Sequence, residues 1–173
     1  MKKFGHFYLG ESYQWISTIT GIDMQVAIGA NHIEAVKRVL KEDPQFITKS
    51  DKDGRTCLHI AVYNGQRDLV ELFIKKGADV NAQTIHGKTP LHYAIMLTGD
   101  SVLPIIQTLL KNGANPFLMD FYGNSVLDFF NAVRSPLTVA IDREIETLFN
   151  EYMRSKVPEV SGYTDPFVQG SQV

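Results

Sequence analysis

Apolar residues recur at helical spacing along most of the chain, in short segments that glycine-containing turns separate. After Thr56, which suits a helix N-cap, one face of a short predicted helix carries Leu58, Ala61 and Val62. Gly65 ends that helix, and a second helix is predicted over residues 68–76. Its inner face holds Leu69, Val70, Leu72, Phe73 and Ile74, and its outer face holds Glu71, Lys75 and Lys76. Gly77 then begins an extended turn, "ADVNAQTIHG".

The same unit returns along the chain. "GRTCLHIAV" begins at Gly54 and "GKTPLHYAI" begins at Gly87, 33 residues later. Gly77 to Gly113 and Gly87 to Gly123 are both 36 residues, so three residues are inserted within "MLTGDSVLPI". A fainter earlier copy, "AIGANHIEAVKRVLKEDP", aligns with an offset of 34 and places an asparagine where Gly65 stands, which is the usual non-glycine residue at positive φ.

Two short helices and a turn cannot bury their own apolar faces, whereas stacked copies can. The period therefore predicts an all-α array of about four repeats over residues 20–154, at about 20–52, 53–85, 86–121 and 122–154. The aromatic-rich residues 1–19 are expected to pack on the first repeat as a cap. Residues 155–173 contain Pro, Gly and Ser without a period and are expected to be a mobile tail.

The segments "DGRTCLHIA", "GADVNA", "HGKTPLHYA" and "NGANP" resemble the ankyrin repeat family. That resemblance implies an ankyrin-repeat solenoid of stacked helix-turn-helix units with hairpin turns. The two end repeats depart from the pattern: Met24 and Gln25 stand at the Leu and His positions of the first, and Asp128 stands at the His position of the last. Atypical terminal repeats are expected, because they cover the core on one side only.

Composition excludes several classes of function. The formal charge of -2 gives no basic excess for binding nucleic acid. The single cysteine, Cys57, forms no intramolecular disulfide or cysteine-based zinc site. Neither a signal peptide nor an apolar run of roughly 18 to 20 residues is recognisable, so we expect a cytoplasmic protein without a membrane partner.

The repeated histidines are candidates for chemistry, but the period favours a structural role. His59 and His92 lie one repeat apart, whereas a zinc pair on one helix needs a spacing of three or four. In ankyrin repeats this histidine bonds the turn and threonine region between neighbouring repeats. Cys57 occupies the proline position and is two residues from His59, so the two side chains do not face each other on a helix. No cofactor is expected, and an enzyme using Cys57 or His86 is the least favoured hypothesis.

Function is expected in the positions that do not repeat. The resemblance implies partner contacts at the hairpin tips and on the exposed side of each first helix. Mapped onto this sequence, the predicted partner-binding residues are Lys52, Asp53, Arg55, Tyr63, Asn64, Ile85, His86, Lys88, Met96, Leu97, Phe121, Tyr122 and Asn124. They predict an apolar and aromatic surface with basic residues beside it. The alternative is that the insertion or the C-terminal tail of the same chain covers this surface.

These observations favour a non-catalytic module that binds one protein partner, free as a monomer, and acts as an inhibitor, immunity protein or adaptor. A structural subunit of an obligate complex and a host-directed viral or bacterial effector are the alternatives. The insertion, with Pro104 in or before the first turn of the following helix, is a second contact candidate. Two short tail motifs are weaker candidates: the end Ser171-Gln172-Val173 has the form that PDZ domains bind, and "DPF" at residues 165–167 resembles an endocytic adaptor motif.

Overall fold

A computed structural model describes residues 23–133 and 139–156 of the protein. The predicted cap, residues 1–19, and the tail motifs lie outside these ranges. The described residues form one 3-10 helix, Pro44–Ile47, and a series of α-helices: α1 (Met24–Gly29), α2 (Ile33–Glu42), α3 (Cys57–Tyr63), α4 (Arg67–Lys75), α5 (Pro90–Ile95), α6 (Val102–Lys111), α7 (Val126–Val133) and α8 (Val139–Lys156). Within those residues there are no strands, and isolated bridges join Ser50 to Thr56 and Met119 to Ser125 across turns.

The local signals in the sequence begin and end these helices. Thr56 and Thr89 are the N-caps of α3 and α5, and Pro90 follows at the first helical position, where a missing N–H has no consequence. After α3 the chain turns at Gly65 with φ of 66°, and after α1 it turns at Asn31 with φ of 54°. The helix predicted over 68–76 is α4, and it begins and ends one residue earlier.

The helices stack in two layers. The first helices of successive repeats pack on one another, α1 on α3, α3 on α5 and α5 on α7. The second helices form the other layer, with α4 on α6 and α6 on α8. One continuous core runs between them, and its largest fully buried side chains are Phe46, Phe73, Phe130, Phe149, Met24, Ile28, Leu58, Leu69, Leu91, Ile105 and Ile106. The predicted all-α solenoid is confirmed.

The three-residue insertion lies between α5 and α6, as the spacing predicts. Pro104 is the third residue of α6, within the first turn, where the backbone N–H has no partner in a helix. In the part of the chain that the structure describes, no helix is both long enough and apolar enough to span a membrane.

Candidate interaction surface

Each hairpin tip is built around one side-chain oxygen. Asp51, Thr84 and Asp120 stand at the same place in successive repeats. The side chain of each accepts hydrogen bonds from the backbone N–H groups two and four residues further on, at donor–acceptor distances of 2.8 to 3.3 Å. Because this oxygen satisfies the turn, the side chains at the tip itself are not needed to hold it.

Backbone hydrogen bonds join neighbouring tips into a row. The N–H of Ile85 donates to the carbonyl of Asp53, and the N–H of Phe121 donates to the carbonyl of His86, both at 3.0 Å. The donating residue comes directly after the side-chain acceptor of its own turn, which is Thr84 in the first pair and Asp120 in the second. The tips therefore form a continuous edge along the solenoid, and the residues on it have fixed positions relative to one another.

The glycine of each tip lets the next tip approach. A Cβ atom on Gly87 would lie 2.9 Å from the nitrogen of Phe121 and 3.0 Å from the Cα of Asp120. Gly54 meets the tip that follows it in the same way, with 2.8 Å to the nitrogen of Ile85. These contacts are to backbone atoms, which cannot move aside cheaply. The glycines are therefore required by the stacking of tips as well as by their positive φ.

The repeated histidines tie the first helices to the next tip, as the resemblance implied. Nδ1 of His59 accepts the N–H of Thr56 at 3.2 Å, so Nε2 carries the proton and donates to the carbonyl of Lys88 at 3.1 Å. His92 repeats both contacts, and its Nε2 donates to the carbonyl of Asn124 at 3.4 Å. Burial lowers the pKa of His59 to about 4 and lowers the pKa of His92, so both rings are neutral. These histidines hold repeats together.

Cys57 is a packing residue, as its place in the repeat predicts. Its side chain is fully buried, and its Sγ donates to the carbonyl of Phe46 at 3.4 Å. Burial raises the pKa of the thiol to about 12, which keeps it in the unreactive protonated form.

Large apolar side chains stand exposed on the tips. Phe121 and Tyr122 are 76% and 77% exposed, and Ile85 is 51% exposed. No core contact explains them, and the turns around them are already satisfied. Exposed apolar side chains of this size are candidates for contact with a partner.

Some of the basic residues predicted beside this surface contact other side chains of the protein. Arg55 pairs with Asp51 at 2.8 Å and with Asp53 at 3.3 Å. Lys88 is half-buried and places its Nζ 4.8 Å from the ring centroid of Phe129. Lys52 and His86 are exposed on the tips. Arg55 and Lys88 thus contact other groups of the protein, so less of their charge is available to a partner than the sequence predicts.

An aromatic strip on the first helices was missed from the sequence. Ile60, Tyr93 and Phe129 are half-buried at one equivalent position of successive repeats. Tyr93 lies edge-on to Tyr63, with ring centroids 6.2 Å apart. Burial raises the pKa of the Tyr93 hydroxyl, and the nearby charge of Arg55 opposes that rise. The signal for this strip is that the position after Gln25, His59, His92 and Asp128 is apolar in every repeat.

The residues predicted at the ends of the first helices differ in their exposure to solvent. Tyr63 and Met96 are 60% and 50% exposed, and Asn64 is exposed as well. Leu97, which was expected on the open surface, is half-buried and packs against the core. Its N–H still donates to the carbonyl of Ala94 at 3.2 Å, so the helical turn continues and directs the side chain inward.

Asn124 also has a structural task. Its N–H and its side chain both contact Asp120, and its carbonyl accepts from His92. Two further exposed residues, Phe117 and Met119, were not identified from the sequence. They lie in the segment that leads to the last tip. Neither lies at the tip itself, which residues 120–124 form. Open clefts elsewhere, such as one of about 530 Å³ between α6 and α8, contain none of the predicted residues.

Comparison with known proteins gives the family of this arrangement. The model for ankyrin repeats, in three copies, matches residues 24–120, which is more than half of the 173 residues. An ADP-ribosylation factor GTPase-activating protein of Arabidopsis thaliana is 35% identical over 108 residues, 57% of this chain and 14% of that protein. The B-cell lymphoma 3 protein homolog of Mus musculus is 33% identical over 104 residues, 60% of this chain and 22% of that protein.

A third relative, the ankyrin repeat and SAM domain-containing protein 6 of Rattus norvegicus, is 32% identical over 117 residues, 67% of this chain and 13% of that protein. The chain thus spans less than a quarter of the length of these relatives.

Proposed function

Because this chain belongs to the ankyrin-repeat family, whose repeats are generally protein-interaction modules, we propose that it is a non-catalytic binding module for one protein partner. The partner contacts the row of hairpin tips and the exposed side of the first helices. The contact surface combines the exposed tip residues Ile85, Phe121 and Tyr122 with the strip around Tyr93.

One observation carries this proposal: the most exposed large apolar side chains are those of Phe121 and Tyr122, at a tip that does not need them. The turn is held by the carboxylate of Asp120, which accepts two backbone N–H groups. Aromatic residues that contribute nothing to the scaffold are favourable contacts for a partner, because they bury a large area with little loss of conformational freedom.

The proposed mode of action is occupancy of the partner, as an inhibitor, immunity protein or adaptor in the cytoplasm. The surface supports this mode because it offers contact residues without a reactive group beside them: Cys57 is buried as a thiol, and His59 and His92 are engaged between repeats. Neither nucleic acid nor a membrane is proposed as a partner.

The test is the double variant Phe121→Ala plus Tyr122→Ala. Both side chains are exposed, so we expect a change in the free energy of unfolding of less than about 1 kcal/mol. We expect capture of the partner to be lost, as measured by affinity capture from the native source and mass spectrometry.

Phe117→Ala is the matched control, since it removes an exposed phenylalanine from the same hairpin but not from its tip. Its capture should equal that of the wild type. Loss of folding in the double variant would show that the two residues belong to the core. Full capture by a folded double variant would refute the proposed surface.

A further inference from the structure

The row of tips has an open edge at its last described member. In the two earlier steps the carbonyls of Asp53 and His86 each accept an N–H from the following tip. Tyr122 is the equivalent residue of the last tip, and among residues 23–133 and 139–156 none donates to its carbonyl. Likewise, no described atom lies within 4 Å of a Cβ placed on Gly123, which has a φ of 79°. The site that receives the next tip is thus complete in its backbone geometry.

At this edge one residue presents a hydrogen-bond acceptor where the earlier repeats present a donor. At the histidine position, the first three repeats each send a donor to the following hairpin. Gln25 donates to Asp51 at 3.3 Å, and His59 and His92 donate to backbone carbonyls. The fourth repeat holds Asp128, an exposed carboxylate whose Oδ2 caps Ser125 at 2.6 to 2.9 Å. The other oxygen, Oδ1, has no partner among the described residues.

Among the described residues, two acceptors at this edge therefore lack a donor, the carbonyl of Tyr122 and Oδ1 of Asp128. A further repeat in the same register would bring a backbone carbonyl toward position 128, where the earlier repeats have a donor. Two acceptors facing each other repel, and the carboxylate would lose hydration without gaining a bond. The segment that fits this edge must supply an N–H group and a cation.

The chain's own C-terminal residues do not supply this chemistry. Residues 157–173 contain Glu159 and Asp165 and no lysine or arginine. Charge complementarity therefore favours a segment of the partner over this segment as the occupant.

We propose that the open edge binds an extended basic segment of the partner. A backbone N–H of that segment donates to the carbonyl of Tyr122, its backbone packs over Gly123, and an arginine or lysine side chain pairs with Asp128. The inference rests on the proposed function and specifies the chemistry of the partner at one end of the surface. The mode is strand addition, in which backbone bonds position the peptide and side chains give selectivity.

The test uses capped hexapeptides of threonine and valine in which a single arginine is moved through the six positions. Binding is followed by nuclear magnetic resonance titration of the labelled protein. We expect shifts at residues 120–128 and one preferred arginine position, with affinity about fivefold higher than for the other positions, as for a partly exposed ion pair.

Two variants separate the parts of the site. Asp128→Asn keeps an oxygen for the cap on Ser125 and removes the charge, so it should abolish the arginine preference and leave the fold intact. Gly123→Ala should weaken binding of every peptide, because a Cβ at the equivalent Gly87 would clash with the tip that follows it. Asp68→Asn, an exposed aspartate on α4, is the control and should change nothing.

A second measurement addresses the backbone bond directly. Methylation of single peptide nitrogens should weaken binding at one position, and this effect should persist in Asp128→Asn. Equal affinity for all arginine positions, or a preference that survives in Asp128→Asn, would overturn the proposal. Stronger peptide binding after deletion of residues 157–173 would also overturn it, by showing that the chain's own segment occupies the edge.

The two proposals fail in different ways. If the Phe121 and Tyr122 double variant loses the partner while Asp128→Asn and Gly123→Ala retain it, the open edge is not used and the binding function stands. If the double variant retains the partner, the proposed surface itself is wrong.

Discussion

The imidazole of His59 is held in one neutral tautomer by its two hydrogen bonds. Nδ1 accepts from Thr56 and Nε2–H donates to Lys88, so a second proton would meet the N–H of Thr56. The ring is also fully buried, and its pKa is lowered from 6.5 to about 4. As the repeat period predicts, this histidine is a structural contact between two repeats.

This contact predicts a loss of stability in mild acid. Between pH 6.5 and about 4 the unfolded chain protonates this histidine and the folded chain does not, so the free energy of unfolding falls as the pH falls through that window. For this group the full loss is about 3 kcal/mol, since each pKa unit corresponds to about 1.4 kcal/mol. Urea unfolding at a series of pH values measures the slope.

His59→Gln should reduce that slope, leaving the contribution of His92, whose pKa is also lowered. If wild type and His59→Gln show the same pH dependence, the ring of His59 is not the neutral contact described.

The residue scale is also where prediction from the sequence fell short. Leu97 was assigned to the surface because it follows the repeated helix, but the helical turn continues and directs it to the core. Tyr93 lies one position after a buried histidine, and spacing alone does not show that its ring packs edge-on against Tyr63. Both depend on side-chain direction within a short helix, which spacing alone gives only to within a residue.

At the scale of the element, the hairpin tip is the unit that repeats most strictly. Its side-chain acceptor changes between Asp and Thr, yet the pattern of N–H donors is the same in all three described tips. The sequence predicted the extended turn and its glycine, since both follow the period. It did not show that the glycine also makes room for the next tip, because that contact joins residues 30 or more positions apart.

The glycines of successive tips should therefore differ in their sensitivity to substitution. Gly87→Ala and Gly123→Ala both place a side chain at positive φ, at a cost of about 1 to 2 kcal/mol. Gly87→Ala adds a clash with the backbone of the following tip, which we expect to cost about 1 to 3 kcal/mol more. Urea denaturation measures both variants.

Gly54→Ala provides a replicate, because its Cβ would meet the backbone of Ile85. It should be as destabilising as Gly87→Ala. Equal losses at positions 87 and 123 would mean that positive φ alone, and not the stacking of tips, requires these glycines.

At the scale of the whole molecule, most of the fold could be predicted from the repeat period. A spacing of 33 residues with one insertion predicts a succession of helix pairs, and the described helices α1 to α8 follow one another in that way. The partner-facing surface could be predicted only in outline, because nothing in a repeat selects the residues that the scaffold does not use. Charge pairing such as that of Arg55 with Asp51 and Asp53 becomes visible only when the turn is folded.

The oligomeric state separates a regulated binder from an obligate subunit. The described core is already covered by the stack of helices, and the most exposed apolar residues, Phe121 and Tyr122, occupy a single tip. The area that these two side chains can bury is small compared with the permanent interfaces of obligate dimers, which bury about 2,000 Å² or more. We therefore expect a monomer of 19.4 kDa, measured by size-exclusion chromatography with light scattering at several concentrations. A stable oligomer that dissociates in the Phe121→Ala plus Tyr122→Ala variant would instead assign these residues to a permanent interface between copies. The purified protein contains no other partner, so any contact that the variant loses there must be a contact between copies of the chain.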